Sequence, residues 1–94
     1  MHKINSKEIE KQQKQVLNII RAKRVQQGLS QEAMAYAMGI STNAYHAIET
    51  GKTQLSTYHI FAIAQVLQCN PCVLFLFTAS SLDATEPKIC PFYI

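Results

Sequence analysis

Apolar residues in the first third of the chain recur at helical rather than strand spacing. They are Ile9, Val16, Ile19, Ile20 and, after interruptions, Val25. A polar segment with one apolar face predicts an amphipathic helix. We expect this helix to begin near Ser6 and to end before Gly28, since glycine readily adopts the left-handed conformation found just after many helices.

Two shorter helices are predicted next, each opened by a serine and closed by a glycine. Ser30 and Ser41 are suitable N-cap residues, and Gly39 and Gly51 can end the helices that these serines begin. The apolar positions on the inner faces of the two helices are Met34, Ala35, Met38, Tyr45 and Ile48. The pattern predicts two helices that meet across a tight turn, with Ala35 small enough to allow close packing.

Two further helices are predicted after this pair. Ser56 is placed to cap a fourth helix, and Asn70 to cap a fifth whose first residue is Pro71, where a missing N–H costs little. The residues expected to face inward are Ile60, Ile63, Ala64, Leu67, Leu74 and Phe75. Because no β-hairpin signal and no internal repeat is present, the sequence predicts an all-α fold of five helices within residues 6–77.

The segment after residue 77 differs from the helical part. Residues 78–87, TASSLDATEP, are mostly small and polar like a linker, whereas residues 88–94, KICPFYI, are again mainly apolar. We therefore divide the chain into a helical domain, residues 1–77, and a linker with an apolar C-terminal tail, residues 78–94. Such a tail is expected to dock on the helices or on a second subunit, and the sequence leaves both possibilities open.

The composition predicts a folded protein with a partner. Apolar residues make up 48% of the chain and charged residues 16%, which argues against disorder and leaves more apolar surface than a monomer readily hides. No apolar run is long enough to cross a bilayer, and the first residues after Met1 are polar and lysine-rich. We therefore expect a soluble, cytoplasmic protein.

The formal net charge of +3 comes from the N-terminal third of the chain. Residues 1–30 contain seven Lys or Arg and two Glu, whereas residues 31–94 contain two Lys and four acidic residues. By charge alone, a solvated helix face and a surface for an anionic partner are equally good interpretations. The cations that we interpret mainly as a solvated face of the first helix, with phosphate contact as the alternative, are Lys11, Lys14, Arg21 and Lys23.

The three cysteines, Cys69, Cys72 and Cys90, cannot all pair within one chain, which is typical of a reducing compartment. The spacing of Cys69 and Cys72 is also found in redox and zinc motifs. However, no strand precedes the pair, and no second cysteine pair or His-x-x-x-His completes a zinc site. We therefore expect no metal and no cofactor, and interpret Cys69 as a small buried apolar residue.

The order of N-cap, short helix, glycine turn, N-cap and second helix, from Ser30 to Gly51, is that of a helix-turn-helix. Residues 23–51, KRVQQGLSQEAMAYAMGISTNAYHAIETG, resemble the Cro/C1-type (XRE) domain of lambdoid phage repressors, and the resemblance extends over about residues 16–77. Its specific elements are the run GLSQ, Ala35, Gly39, the Ile48-Glu49 pair and Gly51-Lys52. The resemblance implies a five-helix, lambda-repressor-like DNA-binding domain, here with an N-terminally extended first helix.

The resemblance also implies roles for residues around the second helix of the motif. Arg24 occupies the position whose guanidinium pairs with the acidic residue near the end of that helix, here Glu49. The residues that it places against DNA phosphates are Gln31, Thr50, Lys52 and Gln54. Because only Lys52 among these is cationic, we expect modest affinity for each subunit.

The second helix of the motif contains no cation, yet contacts with bases need none. The uncharged side chains of Thr42, Asn43 and His46 can donate to and accept from base edges, and Asn suits adenine in particular. Ala44 and Ala47 are small enough for close approach, and an alanine methyl can meet a thymine methyl. We therefore expect base contacts from Thr42, Asn43, His46 and Ala47, with a merely solvated helix surface as the alternative.

These features predict a dimeric transcriptional regulator that binds double-stranded DNA at a pseudo-palindromic operator. The residues expected in the dimer interface are Val73, Leu76, Phe77, Phe92 and Ile94. The alternative is a helix-turn-helix protein-interaction module, or an antitoxin, that has a protein partner and binds DNA weakly or not at all. No constellation of catalytic residues is recognisable, so we do not expect an enzyme.

Overall fold

A computed structural model describes residues 3–75 of the chain. In this part the protein is all-α, with four α-helices followed by a 3-10 helix and no strand. The α-helices are α1, Ser6–Gln26; α2, Gln31–Met38; α3, Thr42–Thr50; and α4, Thr57–Val66; the 3-10 helix is Pro71–Phe75. None of these helices is long and apolar enough to cross a membrane.

Every α-helix begins at a polar N-cap side chain that accepts a backbone hydrogen bond. Ser30 accepts from Ala33 at 2.9 Å, and Ser41 accepts from Ala44 at 3.0 Å. Ser56 caps α4 in the same way, whereas Asn5 caps α1. The three serine caps confirm the helix starts expected from the sequence, because capping depends on a few neighbouring residues and is encoded locally.

Three of the α-helices end in the same backbone motif. After α2, Gly39 has a φ of 74°, its N–H donates to Tyr36 and the Ile40 N–H donates to Ala35. These two bonds are those of the Schellman motif, in which a left-handed residue follows the helix. The residues at the left-handed position after α1 and α4 are Gly28 and Gln68. Gln68, with a φ of 55°, is the only residue other than glycine with positive φ among residues 3–75.

The core lies where α2 and α3 pack between α1 and α4. Contacts join α2 to both α3 and α4, α1 to α3, and the 3-10 helix to both α1 and α4. The fully buried residues at its centre are Ile20, Met34, Tyr45, Ile63, Leu67 and Leu74. Ala35 is also buried, as expected for a small residue where two helices approach closely.

The structure corrects several details of the predicted helices. Ile9 and Val25, assigned to the inner face of α1, are 45% and 61% exposed, since they lie toward the two ends of a helix covered mainly along its middle. Phe75 is 44% exposed rather than part of the core. The fifth element is a 3-10 helix rather than an α-helix; the Val73 N–H donates to the Asn70 carbonyl, and the Cys72 N–H donates to the Asn70 side chain. Leu76, Phe77 and the segment 78–94 lie outside the described residues.

Candidate nucleic-acid interface

The second helix of the motif, α3, has two chemically different sides. Its inner side contains Tyr45, Ile48 and the one charged residue of the helix, Glu49, all of which are buried. The residues on its outer side that are exposed are Thr42, Asn43, Ala44, His46 and Thr50. Ala47 is half-buried. The exposed side of α3 is therefore neutral, with hydroxyl, amide and imidazole groups toward the solvent.

The carboxylate of Glu49, which is only 2% exposed, receives hydrogen bonds from three side chains. Arg24 donates through Nε at 2.9 Å and through Nη2 at 3.1 Å, in a two-pronged contact. Tyr45 donates its hydroxyl at 2.7 Å, and Gln31 donates Nε2 at 2.8 Å. These donors come from α1, α2 and α3, so the carboxylate joins the three helices below the neutral side of α3.

The ionisation of this cluster follows from its contacts. Burial by itself raises the pKa of Glu49, but the hydrogen bonds from Arg24, Tyr45 and Gln31 outweigh it and hold the pKa below its usual value. The pKa of Arg24 is raised, chiefly by its hydrogen bonds to Glu49. Burial and the bond to Glu49 raise the pKa of Tyr45. The stable form of the cluster therefore has an ionised carboxylate, a guanidinium cation and a neutral phenol.

The side chain of half-buried Gln31 contacts two protein groups. Besides donating to Glu49, it places Oε1 at 3.1 Å from Nδ1 of His46. The sequence predicts that Gln31 contacts a phosphate; Glu49 uses one of its two Nε2–H groups, and the second is left as a donor. The α2 N-terminus still has a partial positive charge, because the first backbone N–H groups of a helix have no partner within it.

The contact with Gln31 determines which nitrogen of His46 carries the proton. Gln31 uses its NH₂ group on the carboxylate, so the atom facing His46 is a carbonyl oxygen, which only accepts hydrogen bonds. His46 must therefore donate from Nδ1. In the neutral imidazole the exposed nitrogen, Nε2, is then an acceptor, suited to the amino groups of adenine or cytosine in the major groove.

The loop after α3 contains the remaining residues expected to contact phosphates. The Thr50 hydroxyl donates to the His46 carbonyl at 2.9 Å, which leaves it as an acceptor and unable at the same time to donate to a phosphate oxygen. Lys52 and Gln54 are exposed and have side chains that can donate. Of these three positions, Lys52 and Gln54 suit an anionic ligand best.

Of the residues expected in a dimer interface, only Val73 belongs to the described part of the chain. It is half-buried on the 3-10 helix. Leu76, Phe77, Phe92 and Ile94 lie outside the described residues. On α4, Tyr58 and Phe61 are 74% and 57% exposed, so this helix presents two aromatic side chains to the solvent.

Two functional contacts were missed by sequence reasoning. Tyr45 was assigned to the core without a role for its hydroxyl, and Gln31 was assigned to DNA only. The contact between Tyr45 and Glu49 could have been predicted from the sequence, because Tyr45 precedes Glu49 by one helical turn and the two side chains share a helix face. The contact of Gln31 with α3 depends on how α2 packs against α3, and no local pattern in the sequence contains that information.

Two of the three cysteines, Cys69 and Cys72, belong to the described part of the chain. Cys69 and Cys72 are both half-buried, and burial raises the pKa of the Cys69 thiol, which favours its unreactive form. Within residues 3–75, no group of three or more His, Cys, Asp or Glu side chains is arranged to hold a metal ion.

Comparison with known proteins identifies one similarity. A protein-family model described as helix-turn-helix matches residues 20–74, more than half of the chain. The match extends from the C-terminal part of α1 through the 3-10 helix and includes the exposed side of α3 and the buried Glu49 cluster. No curated protein and no solved structure matches the chain.

Proposed function

The chain belongs to the Cro/C1-type helix-turn-helix family, and on that premise we propose that it is a dimeric transcriptional regulator that recognises specific sequences in double-stranded DNA. The family consists of DNA-binding regulatory domains, which are typically not enzymes. Sequence specificity, dimer formation and the effect on transcription are the parts of the proposal that go beyond family membership.

The observation that supports the proposal most directly is the position of the only charge in α3. An exposed carboxylate in the major groove would repel phosphates, but Glu49 is 2% exposed and bound by Arg24, Tyr45 and Gln31. The surface left for DNA is neutral and contains both donors and acceptors. Such a surface suits base edges, whose identity is specified by hydrogen bonds rather than by charge.

In this proposal, Thr42, Asn43, His46 and Ala47 contact bases. Asn43 is exposed one turn before Ala47, and its amide can both donate to and accept from an adenine. His46 offers an acceptor at Nε2 as long as its Nδ1 proton is bound to Gln31. The half-buried Ala47 can contribute its methyl group to contact with thymine. These contacts favour A·T pairs in the half-site.

Phosphates are contacted around this surface rather than within it. Lys52 and Gln54 are exposed in the loop after α3, and the N-termini of α2 and α3 have backbone N–H groups without a partner inside the helix. Gln31 can donate its second Nε2–H to a phosphate, whereas Thr50 contributes through its backbone position because its hydroxyl already donates to the His46 carbonyl. With one lysine in this set, a single subunit binds weakly, and pairing on a two-fold operator supplies the missing affinity.

Selection of bound duplexes from a random pool tests the proposal. We expect an enriched sequence with two-fold symmetry, half-sites about ten base pairs apart and A·T pairs where Asn43 contacts DNA. An enriched sequence without symmetry would contradict the dimer, and no enrichment would contradict sequence-specific recognition.

A salt titration on random duplex distinguishes this function from a protein-interaction module. Phosphate contacts release counterions, so the logarithm of the binding constant falls linearly with the logarithm of salt concentration. A DNA-binding protein shows this slope even on non-specific sequence. Absence of any binding at low salt would instead support the protein-interaction module.

A further inference from the structure

Four cations lie along one face of α1, outside the surface described above. Lys7, Lys11, Lys14 and Arg21 are spaced by four, three and seven residues, which returns each to nearly the same side of the helix. All four are exposed. From Lys7 to Arg21 this basic stripe extends over about 21 Å at 1.5 Å per residue.

The basic stripe forms one wall of a groove whose other wall is the end of α3 and the loop that follows it. Lys7, Lys11, Lys14 and Arg21 line this groove together with Thr50 and Lys52. Thr50 also continues the exposed face of α3, since it follows Asn43 and His46 at helical spacing. The groove therefore begins where the surface proposed to contact bases ends.

The groove is strongly positive. Its five cations are accompanied by two acidic residues, Glu10 and Glu49; the carboxylate of Glu49 is bound inside the protein by Arg24, and Nε of Arg21 lies 3.9 Å from it. Within residues 3–75, none of the three lysines of the basic stripe forms an ion pair, although Glu10 precedes Lys14 by one turn. A face that served only solvation would gain from such i, i+4 pairs. Unpaired ammonium groups are available to an external anion.

We propose that the basic stripe and Lys52 form a second phosphate-binding track, which holds the DNA backbone flanking the half-site. This inference rests on the proposed function and extends it to an additional region of the same ligand. Because Thr50 lines the groove and also belongs to the exposed face of α3, DNA bound at α3 would lie next to the groove. Its length of about 21 Å corresponds to about six base pairs at 3.4 Å each. The track explains how a protein without cations in α3 acquires affinity.

The salt dependence measures this track directly. Each neutralised phosphate contributes about 0.9 to the slope of log affinity against log salt, so Lys7, Lys11 and Lys14 together contribute about 2.7. Between 50 and 200 mM salt, this difference corresponds to an extra loss of affinity on the order of 40-fold in the unaltered protein. The contribution is the same on every flanking sequence, because phosphate contacts do not distinguish bases.

The test uses the full chain with Lys7→Gln, Lys11→Gln and Lys14→Gln combined, on two duplexes. One duplex ends at the edge of the selected operator, and the other extends about six base pairs beyond each edge. Lys11→Gln and Lys23→Gln each remove one positive charge from α1. Lys23→Gln is the control, because Lys23 lies about 160° around the helix from Lys7 and therefore outside the basic stripe. All substituted lysines of the stripe are exposed, so the thermal unfolding midpoint should not change and serves as the check on folding.

We expect the unaltered protein to bind the extended duplex more tightly and with a steeper salt slope than the trimmed one. The triple variant should lose this preference, and Lys23→Gln should retain it. A triple variant with the original slope and length preference would overturn the track while leaving the proposed function intact. If the unaltered protein binds no duplex at low salt, the proposed function fails and the track fails with it.

Discussion

Glu49 is tolerated below the surface proposed to contact DNA because its charge is neutralised inside the protein. The guanidinium of Arg24 is planar and binds both carboxylate oxygens, and it also donates from Nη1 to the Leu29 carbonyl at 2.8 Å. Lysine has a single ammonium group and cannot reproduce this geometry. The cluster is thus specific in shape as well as in charge.

We predict that Glu49→Gln destabilises the fold and makes the free energy of unfolding depend less on pH in the acid range. Glutamine keeps one acceptor oxygen but places an NH₂ group against the donors that bind the other oxygen, and it leaves the guanidinium of Arg24 without a counter-charge, at a cost of about 2–4 kcal/mol in the free energy of unfolding. The pKa of Glu49 is lower in the folded state than in the unfolded chain. Its stabilisation is therefore complete above the unfolded value of about 4.3, and is lost as the pH falls through the folded pKa. Denaturant unfolding at pH 7 and across the acid range measures both effects.

Glu32→Gln is the matched control, because Glu32 is exposed in the first turn of α2. We expect it to change stability by no more than about 0.5 kcal/mol. If Glu49→Gln loses stability toward acid as steeply as the unaltered protein, groups other than Glu49 are responsible for the acid response.

Asn43→Ala and Lys52→Ala should weaken DNA binding in different ways. Loss of the Asn43 amide should relax discrimination at one base pair by about 1–3 kcal/mol, because only that pair loses its partner. Loss of Lys52 should weaken binding to every sequence alike and reduce the salt slope by about 0.9. Titration of the operator and of single-substituted duplexes measures both, and equal loss on all sequences from both changes would contradict the assigned roles.

Gln31→Ala should alter specificity through His46. Without the carbonyl oxygen of Gln31, the Nδ1 proton of His46 is no longer held, and Nε2 is no longer restricted to accepting. Discrimination should fall at the base pair that His46 is proposed to contact and remain unchanged at the pair proposed for Asn43. A double-mutant cycle with His46→Ala measures the coupling, and strictly additive losses would show that Gln31 acts independently of His46.

At the scale of the elements, local signals predicted the helices well. Ser30, Ser41 and Ser56 begin α2, α3 and α4 as expected, because an N-cap involves only residues within one turn. The extent to which each helix is covered was harder to predict. Ile9 is apolar at the correct spacing, yet it is 45% exposed, since burial depends on the neighbouring elements and not on the helix itself.

In the candidate site, too, some contacts could be predicted from the sequence and others depend on tertiary packing. An Arg24–Glu49 contact was expected from the resemblance, and the structure contains it at 2.9 Å. The inward direction of Gln31 depends on how closely the start of α2 approaches the end of α3. That approach is a tertiary contact between residues 18 positions apart in sequence, which helical spacing does not encode.

The shared helix-ending motif predicts opposite effects for two substitutions. Gly39→Ala should cost about 1–2 kcal/mol, because a Cβ at positive φ is strained even though it would meet no atom within 4 Å. Gln68→Gly should stabilise the fold by about 0.5–1 kcal/mol, because it removes that strain at the end of α4. Urea unfolding measures both, and a destabilising Gln68→Gly would show that its side chain makes a compensating contribution.

At the scale of the whole molecule, the proposal requires a dimer. We predict a dimeric mass by sedimentation at micromolar concentration, and a shift toward monomer in the Leu76→Ser, Phe77→Ser double variant. Tyr58→Ser with Phe61→Ser is the comparison on α4, where both aromatic side chains are exposed. A shift in the α4 variant alone would relocate the interface to that helix, and a monomeric unaltered protein would contradict dimerisation.

The burial of Glu49 has a consequence for how such a protein can evolve. Thr42 and Asn43 are exposed and lie outside the hydrogen-bonded cluster that joins the three helices. Substitutions at these two positions therefore leave the buried hydrogen-bonded cluster unchanged. If the proposed base contacts are correct, a lineage carrying this scaffold can acquire new DNA targets by changing two surface residues, while the inherited architecture stays as it is.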